Sequence, residues 1–579
     1  MIKLLRFMKP YRGILILVVV LAAAQALSNL YLPNLFADIV DNGIVKGDTG
    51  YIWRFGGLML LVTLGGTLAA VVGIFFSSQV ATGFGKIIRA RLFTHVQQFS
   101  LHEFDTVSTA SLITRTTNDT TQVQQVMIVM LNMMITAPIT LVAGIILAVN
   151  QDVGLSWILV VVIPILVASI LILMSKAIPL FRAMQVKLDR LNLVLDEGLT
   201  GVRVVRAFDR QRYEEQRFNQ ANLELTDVAI RVNRLIASLM PIMMLCLNVS
   251  SVAILWFGAI RINNGDLQVG AMIAFLQYAM QILFALLMVS MMFIMLPRAA
   301  ASADRINQVL DIKPEINDPE QAKLANRQRG YVEFQNVTFS YPGAEEPALS
   351  NISFRANPGE VTAIIGGTGA GKSTLVSLIP RFYDIDSGRI LVDGVDVHQM
   401  SQEHLRSKIG FVPQKTVLFS GTIAENIRYG KEDASDEEVF HAAEVAQATE
   451  FIAGMQDGFD SVIAQGGTNV SGGQKQRLSI ARALVRKPEV YVFDDSFSAL
   501  DFKTDARLRG ALKQETQEST VLIISQRVST VMDADQIIVL DEGHVAGIGT
   551  HRELMRTSEV YREIVSSQLS SEEIAEEIA

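Results

Sequence analysis

Six stretches in the first 300 residues hold long apolar runs free of lysine, arginine, aspartate and glutamate: residues 14–36, 58–76, 126–149, 155–174, 239–260 and 272–296. A helix needs about 20 residues to cross a hydrocarbon core. The complete avoidance of charge over that length is what a bilayer demands and a soluble core does not. The pattern therefore predicts six membrane-spanning helices. Between the first and second, third and fourth, and fifth and sixth, the loops are short and carry few basic residues. The opposite side carries Lys3, Arg6, Lys9 and Arg12, then Lys86, Arg89 and Arg91, then Lys187, Arg190, Arg203 and Arg206. Basic loops stay in the cytoplasm, so a multi-pass protein of the cell membrane is expected, with both termini inside. The first residues, basic among Ile2, Leu4, Leu5 and Met8, read as an interfacial helix leading into a retained span, not a cleaved signal.

The two inward loops keep helical periodicity for several turns, which predicts cytoplasmic extensions turning over near residues 100–120 and 190–215. The polar, proline-containing stretch 313–330 breaks the pattern and reads as a linker. Beyond it, short apolar runs alternate with helical patterns, as in a nucleotide-binding α/β domain. The acidic tail reads as a frayed helix. The division is residues 1–312, an all-α six-helix transmembrane domain with two cytoplasmic coupling loops; 313–330, the linker; and 331–579, an α/β P-loop NTPase domain.

Composition agrees. Half of the 579 residues are hydrophobic and only 19% charged, and the mean hydropathy of +0.33 is oily for a soluble chain. A formal net charge of -8 leaves no global basic footprint, so nucleic acid is not an expected partner. The single cysteine, Cys246, excludes an intramolecular disulfide and, with apolar neighbours, reads as a buried, inert thiol.

After an apolar strand ending at residue 365 come Gly366, Gly367, Thr368, Gly369, Ala370, Gly371, Lys372, Ser373 and Thr374, then a helical pattern. This is the P-loop spacing. Glycines let backbone amides converge on phosphate oxygens, Lys372 reaches the terminal phosphates, and the Ser373 hydroxyl suits Mg2+. The apolar strand ending in Asp494 supplies a carboxylate where such sites hold their magnesium. ATP and Mg2+ are the expected cofactors.

Ser471, Gly472, Gly473 and Gln474, followed by Lys475, Gln476 and Arg477, resemble the signature of the ATP-binding cassette family, and with the six spans the chain resembles its exporter branch over nearly its whole length. The resemblance implies that the signature, at a helix N-terminus, completes the ATP site of an opposite subunit. It also implies that Tyr341 stacks on adenine, that Gln414 senses magnesium and the membrane domain, and that Asp501 lies in a loop crossing the dimer interface. The segments near 100–120 and 195–210 would be coupling helices, the first reaching the partner's cassette by domain swapping and the second docking likewise; Glu197 and Arg203 there read equally as solvated charges.

Two positions depart from the family pattern. Asp495 stands where active members carry glutamate, one methylene longer, to polarise the attacking water. Gln526 stands where they carry a switch histidine, and an amide cannot become a cation. Gln465 also replaces a frequent glutamate. With the signature intact, the chain resembles the degenerate-site half of a bacterial heterodimeric multidrug exporter, which implies weak hydrolysis at its own site and a partner half-transporter with a consensus catalytic site. A homodimer, or an ATP-gated regulatory membrane protein, is the alternative. An amphipathic small molecule is the expected cargo, with lipids or peptides open. Methionines of the third, fifth and sixth spans, among them Met130, Met133, Met134, Met243, Met244, Met288, Met291, Met292 and Met295, fit an adaptable cavity or plain packing. Gln277 and Gln281, one turn apart, fit helix glue or ligand contact.

Overall fold

The computed structural model describes residues 1–325 and 330–569, apart from the side chains of Met291, Phe293 and Ile294. The acidic tail expected to fray, and residues 326–329 of the expected linker, lie outside the described residues. The chain forms two compact units. One comprises residues 1–97 and 109–312, the other residues 98–108 and 313–579.

In the first unit, six helices are long and apolar enough to cross a membrane, with bounds Ile2–Ile44, Thr49–Val96, Thr109–Gln151, Val153–Thr200, Gln211–Asn263 and Val269–Asp311. In hydrocarbon no water can satisfy a bare peptide group, so a continuous helix is the solution for each apolar run. The helices run well past the apolar stretches, as the patterned inward loops predict. The first, third and sixth pack around Leu30, Ala148, Phe275, Tyr278 and Ile282. Gly144 makes that approach possible, since a Cβ there would sit 3.0 Å from Ile282. Asp152 caps the fourth helix through the Leu155 amide and holds Arg261 of the fifth at 3.0 Å. Cys246, read from sequence as buried, is only half-buried, beside Met243, Leu283 and Leu287.

The second unit is built on a six-stranded sheet. Its central strands Val361–Gly366, Thr520–Ile524 and Val490–Asp494 run parallel, with Ile524 opposite both Ile364 and Asp494. A four-stranded antiparallel sheet around Val332–Phe339 packs beside it. Both faces of the central strands are covered, which is why they read as unbroken apolar runs instead of alternating.

The segment 98–108, the first cytoplasmic turn, clusters with this chain's own cassette. Ser100 and Glu103 form a capping box on the helix Leu101–Val107. The buried Glu103 carboxylate accepts from the Ser100 amide at 2.5 Å and, across the chain, from the Glu315 amide at 2.9 Å. Two backbone donors on one carboxylate fix the turn to the start of the 313–325 segment, which is itself pinned where Asp318 accepts from the Gln402 amide at 3.0 Å. Burial alone would raise the Glu103 pKa; the hydrogen bonds from Ser100 and Glu315 outweigh it and hold the carboxyl below its ordinary range.

Glu103→Ala is expected to remove about 1–2 kcal/mol of local stability, read as faster hydrogen exchange at the Ser100 and Glu315 amides. Because the folded pKa is lowered, the native contribution is complete above the ordinary glutamate value of about 4.3 and disappears as pH falls through the folded value. The alanine variant should lack that acid-side loss.

Candidate functional site

The carboxyl ends of the three aligned parallel strands open onto one cavity of about 290 Å³. This is where an open α/β sheet leaves a crevice between diverging loops. Its lining includes Tyr341, Thr368, Gly369, Gly371, Lys372, Ser373, Thr374, Gln414, Asp494, Asp495 and Gln526. Residues singled out from stretches 185 positions apart along the chain, from Tyr341 to Gln526, thus share one chamber. Of the other loop residues, Gly366 ends its strand under the Leu540 carbonyl, 2.2 Å from where a Cβ would lie. Gly367 and Ala370 continue the turn, the Ala370 amide donating to the Gly367 carbonyl at 3.3 Å. Gly371 has φ +92° and faces Leu349, which a Cβ would meet at 2.7 Å, so both its conformation and its neighbour call for glycine.

Lys372 is only 7% exposed. Its ammonium donates to the Gly366 and Gly367 carbonyls at 2.9 and 2.6 Å. Burial pulls its pKa down, and the nearby charges of Asp495 and Asp494 oppose that shift. The Ser373 hydroxyl donates to Asp494 at 2.9 Å. Burial lifts the Asp494 pKa above the aspartate range and the Asp495 charge adds to the lift, against the Ser373 hydrogen bond. Asp495, at φ +45°, is raised by burial too, opposed by its hydrogen bonds with Gln414 and Ser498. Gln414 Nε2 lies 3.4 Å from the Asp495 carboxylate. A hydroxyl, a carboxylate and an amide oxygen lining one cavity are hard oxygen donors of the kind Mg2+ takes alongside phosphate. The residues fit that ion. Tyr341 is 40% exposed, hydrogen-bonded to the Thr374 hydroxyl at 2.9 Å and edge-on to Tyr383 and Phe339, which leaves a braced ring at the cavity mouth.

The signature lies elsewhere on the unit. Ser471 caps the helix Gly472–Leu484 through a capping box with Gln474. Gly473 packs against the Ala499 carbonyl, 3.0 Å from where a Cβ would lie, and Gln476 accepts from the Ala499 amide. Asp501 caps the next helix through Thr504, beside a bare Phe502 ring. Neither the signature nor Asp501 lines the Lys372 cavity.

Sequence reasoning missed Gln568. Its side chain accepts from the Val528 amide at 2.9 Å and donates to the Gln526 carbonyl at 2.7 Å, clamping the loop that carries Gln526. Nothing in a lone glutamine after a helix announces this. Arg527 was missed as well; its guanidinium donates to the Ser498 carbonyl at 2.9 Å.

Residues 15–287 match the family described as the ABC transporter transmembrane region, and residues 349–498 match the ABC transporter family. An uncharacterised ABC transporter ATP-binding protein of Mycobacterium tuberculosis is 44% identical over 97% of both chains. The chain belongs to the ABC transporter family. A putative multidrug export ATP-binding/permease protein of Bacillus subtilis, YgaD, is 33% identical over 97% of this chain and 98% of its own. Among solved structures, a bacterial Atm1-family ABC exporter with ATP bound superposes with a TM-score of 0.81 at 27% identity, covering 97% of this chain and 99% of that one. This ABC transporter is thus an exporter-type half-transporter: a six-span membrane domain followed by a cytoplasmic ATP-binding domain, hydrolysing ATP to drive transport, in a family whose exporters work as dimers.

Lys372→Ala is expected to weaken ATP binding at least about tenfold, since a charge-assisted bond to phosphate contributes roughly 1.5–3 kcal/mol; titration with a fluorescent ATP analogue measures it. Gln568→Ala removes two hydrogen bonds of about 1 kcal/mol each and should speed exchange of the Val528 amide about tenfold or more.

Proposed function

We propose that this chain is one subunit of a heterodimeric exporter of amphipathic small molecules, and that its own nucleotide cavity is the weakly hydrolysing one. The observation that carries the reading is that both departures from the family pattern, Asp495 and Gln526, line the cavity that holds Lys372 and Asp494. Had the two fallen at unrelated places they would be independent substitutions. At one cavity they weaken one reaction: Asp495 draws the carboxylate back by about 1 Å, where general-base assistance is typically worth 10² to 10⁴ in rate. Gln526 adds an amide that can hydrogen-bond phosphate without supplying a cation.

In this reading Ser373, Asp494 and Gln414 hold Mg2+, which when bound offsets phosphate charge. Lys372 and the 366–374 backbone orient the terminal phosphates, and Tyr341 takes the adenine. Ser471, Gly472, Gly473 and Gln474 stay free to complete the partner's competent site, with Asp501 in the loop between cassettes. The short helix Val202–Ala207 and the Phe208 that follows it support docking onto a second chain, because Val204 and Phe208 are 61% and 74% exposed in a segment expected to lie in the cytoplasm. The name of the Bacillus subtilis relative favours drug-like cargo.

Purified alone, the chain should hydrolyse ATP slowly, and co-expression with a half-transporter carrying glutamate and histidine at the two positions should restore turnover. Asp495→Glu combined with Gln526→His should raise the rate of the lone chain by about 10² or more, measured as phosphate release. Fast turnover by the native homodimer, or no gain from the double substitution in a folded protein, would overturn the assignment.

A further inference from the structure

We propose that the ATP-binding unit carries a second small-molecule site, a cavity of about 470 Å³ that takes an amphipathic α-amino acid with a large apolar side chain. Its lining comes from the helix Phe502–Glu515, from the segment 528–535 that follows Gln526, and from the strands Val361–Gly366 and Thr520–Ile524. Val361 and Val521 lie at the amino ends of those strands, whereas the ATP cavity opens at their carboxyl ends. At about 3.3 Å per residue, strands of this length put the two sites on the order of 15–20 Å apart. Their linings share no residue.

The floor is apolar and buried, with Leu512, Val521 and Ile523 each under a tenth exposed. The rim is open to solvent. On the helix wall stand Ala506 and Gly510, and a Cβ at Gly510 would meet nothing within 4 Å, so the gap exists because that wall lacks side-chain volume. Thr530 also lines the cavity and is 6% exposed, yet among the described residues no hydrogen bond engages its hydroxyl. A polar group so buried normally has a partner, and a ligand in the cavity supplies one.

Charge decides the ligand class. Arg509 and Lys513, one turn apart on the helix, give the cavity two cations, and Asp533 and Asp535 on the other segment give it two carboxylates. Arg509 Nη1 is 3.8 Å from the largely exposed Asp533 carboxylate. Lys513 has no ion-pair partner among the described residues. Asp535 accepts from the Val361 amide at 2.9 Å through one oxygen, which leaves the other unengaged. An apolar acid would gain the cations but face both carboxylates, and an apolar amine would meet the reverse. A zwitterion whose two charged groups share one carbon sets its carboxylate toward Lys513 and Arg509 and its ammonium toward Asp533 and Asp535, while its side chain covers the floor. At a wet rim each ion pair contributes modestly, and burial of the side chain supplies the rest. Arg509 joins the two walls as well, pairing with Asp505 of its own helix at 3.2 Å and donating to the Ser529 carbonyl at 3.2 Å. Occupancy is therefore felt on both segments.

The test uses the full chain in nanodiscs without nucleotide and three probes that share a phenyl ring and differ in charge: phenylalanine, 3-phenylpropionate and phenethylamine. Each is titrated while hydrogen exchange is followed at the amides of residues 505–516 and 528–535. Phenylalanine is expected to protect these segments with half-saturation on the order of 1 mM or below, and about tenfold or more below either singly charged probe, the equivalent of one charge-assisted hydrogen bond. Gly510→Leu fills the gap with a better helix former and should raise the half-saturation about tenfold or more. Asp533→Asn should weaken phenylalanine and phenethylamine and leave 3-phenylpropionate no weaker; Lys513→Met should weaken phenylalanine and 3-phenylpropionate and spare phenethylamine. If Gly510→Leu fails to fold, these two charge variants decide. Equal protection by all three probes, tighter binding of either singly charged one, protection confined to the membrane helices, no saturation below about 10 mM, or binding indifferent to Gly510→Leu would overturn the proposal. Protection is read without ATP, so the rate of ATP turnover bears on the heterodimer reading and not on this site.

Discussion

An ammonium group taken out of water needs partners, and Lys372 has been given ones it can exchange. Its hydrogen bonds go to two backbone carbonyls of its own loop, while two carboxylates near it are themselves raised by burial. At positions as buried as Lys372 and Asp494, charges interact more strongly than in bulk solvent and suffer more when unpaired. Phosphate oxygens and a divalent cation would satisfy the lysine and the acids together. The sheet makes this possible. Three parallel strands in register bring their carboxyl ends to one level, so that the loop after each delivers its residue to the same place.

The membrane unit answers to the opposite constraint, because hydrocarbon offers polar atoms nothing. Backbone groups are closed into helices, and the polar side chains left over are gathered. Asp152 and Arg261 pair near the ends of their spans, hydroxyls such as Ser169 and Thr136 turn back on their own helices, and the amides of three helices meet in one cavity. Apolar packing around Leu30, Tyr278 and Ile282 sets the helices at the distance where such a chamber can exist. The two constraints meet in one protein as a cavity that concentrates charge and a membrane cleft lined by no charged side chain.

Small polar clamps tie the ATP-binding unit to segments remote in sequence. Glu103 collects the Ser100 and Glu315 amides, and Gln568 grips the backbone on both sides of Arg527. Each fixes a loop by main-chain groups, so each acts on conformation independently of the side chains the loop displays. Movement at either clamp is felt by the residues it holds: the start of the 313–325 segment in one case, Gln526 in the other.

The apolar, charge-free runs fixed the number of spans and their order by themselves, because a bilayer leaves one backbone solution for such a run, and the P-loop spacing named its strand, turn and helix because glycine at Gly371 answers a local steric need. Gln277 and Gln281 were read as one turn apart on a helix, yet nothing local says that Gln25 and Asn29 of the first helix and Thr136 and Thr140 of the third face them; that follows from how the helices pack around Gly144. The gathering of Tyr341, Lys372, Asp494, Asp495 and Gln526 around one chamber, the attachment of residues 98–108 to this chain's own cassette, and the reach of Gln568 back to the Gln526 loop were likewise decided by the tertiary structure. Periodicity and motif spacing record what a residue requires of its immediate neighbours, whereas contacts across hundreds of positions depend on which buried surfaces find each other.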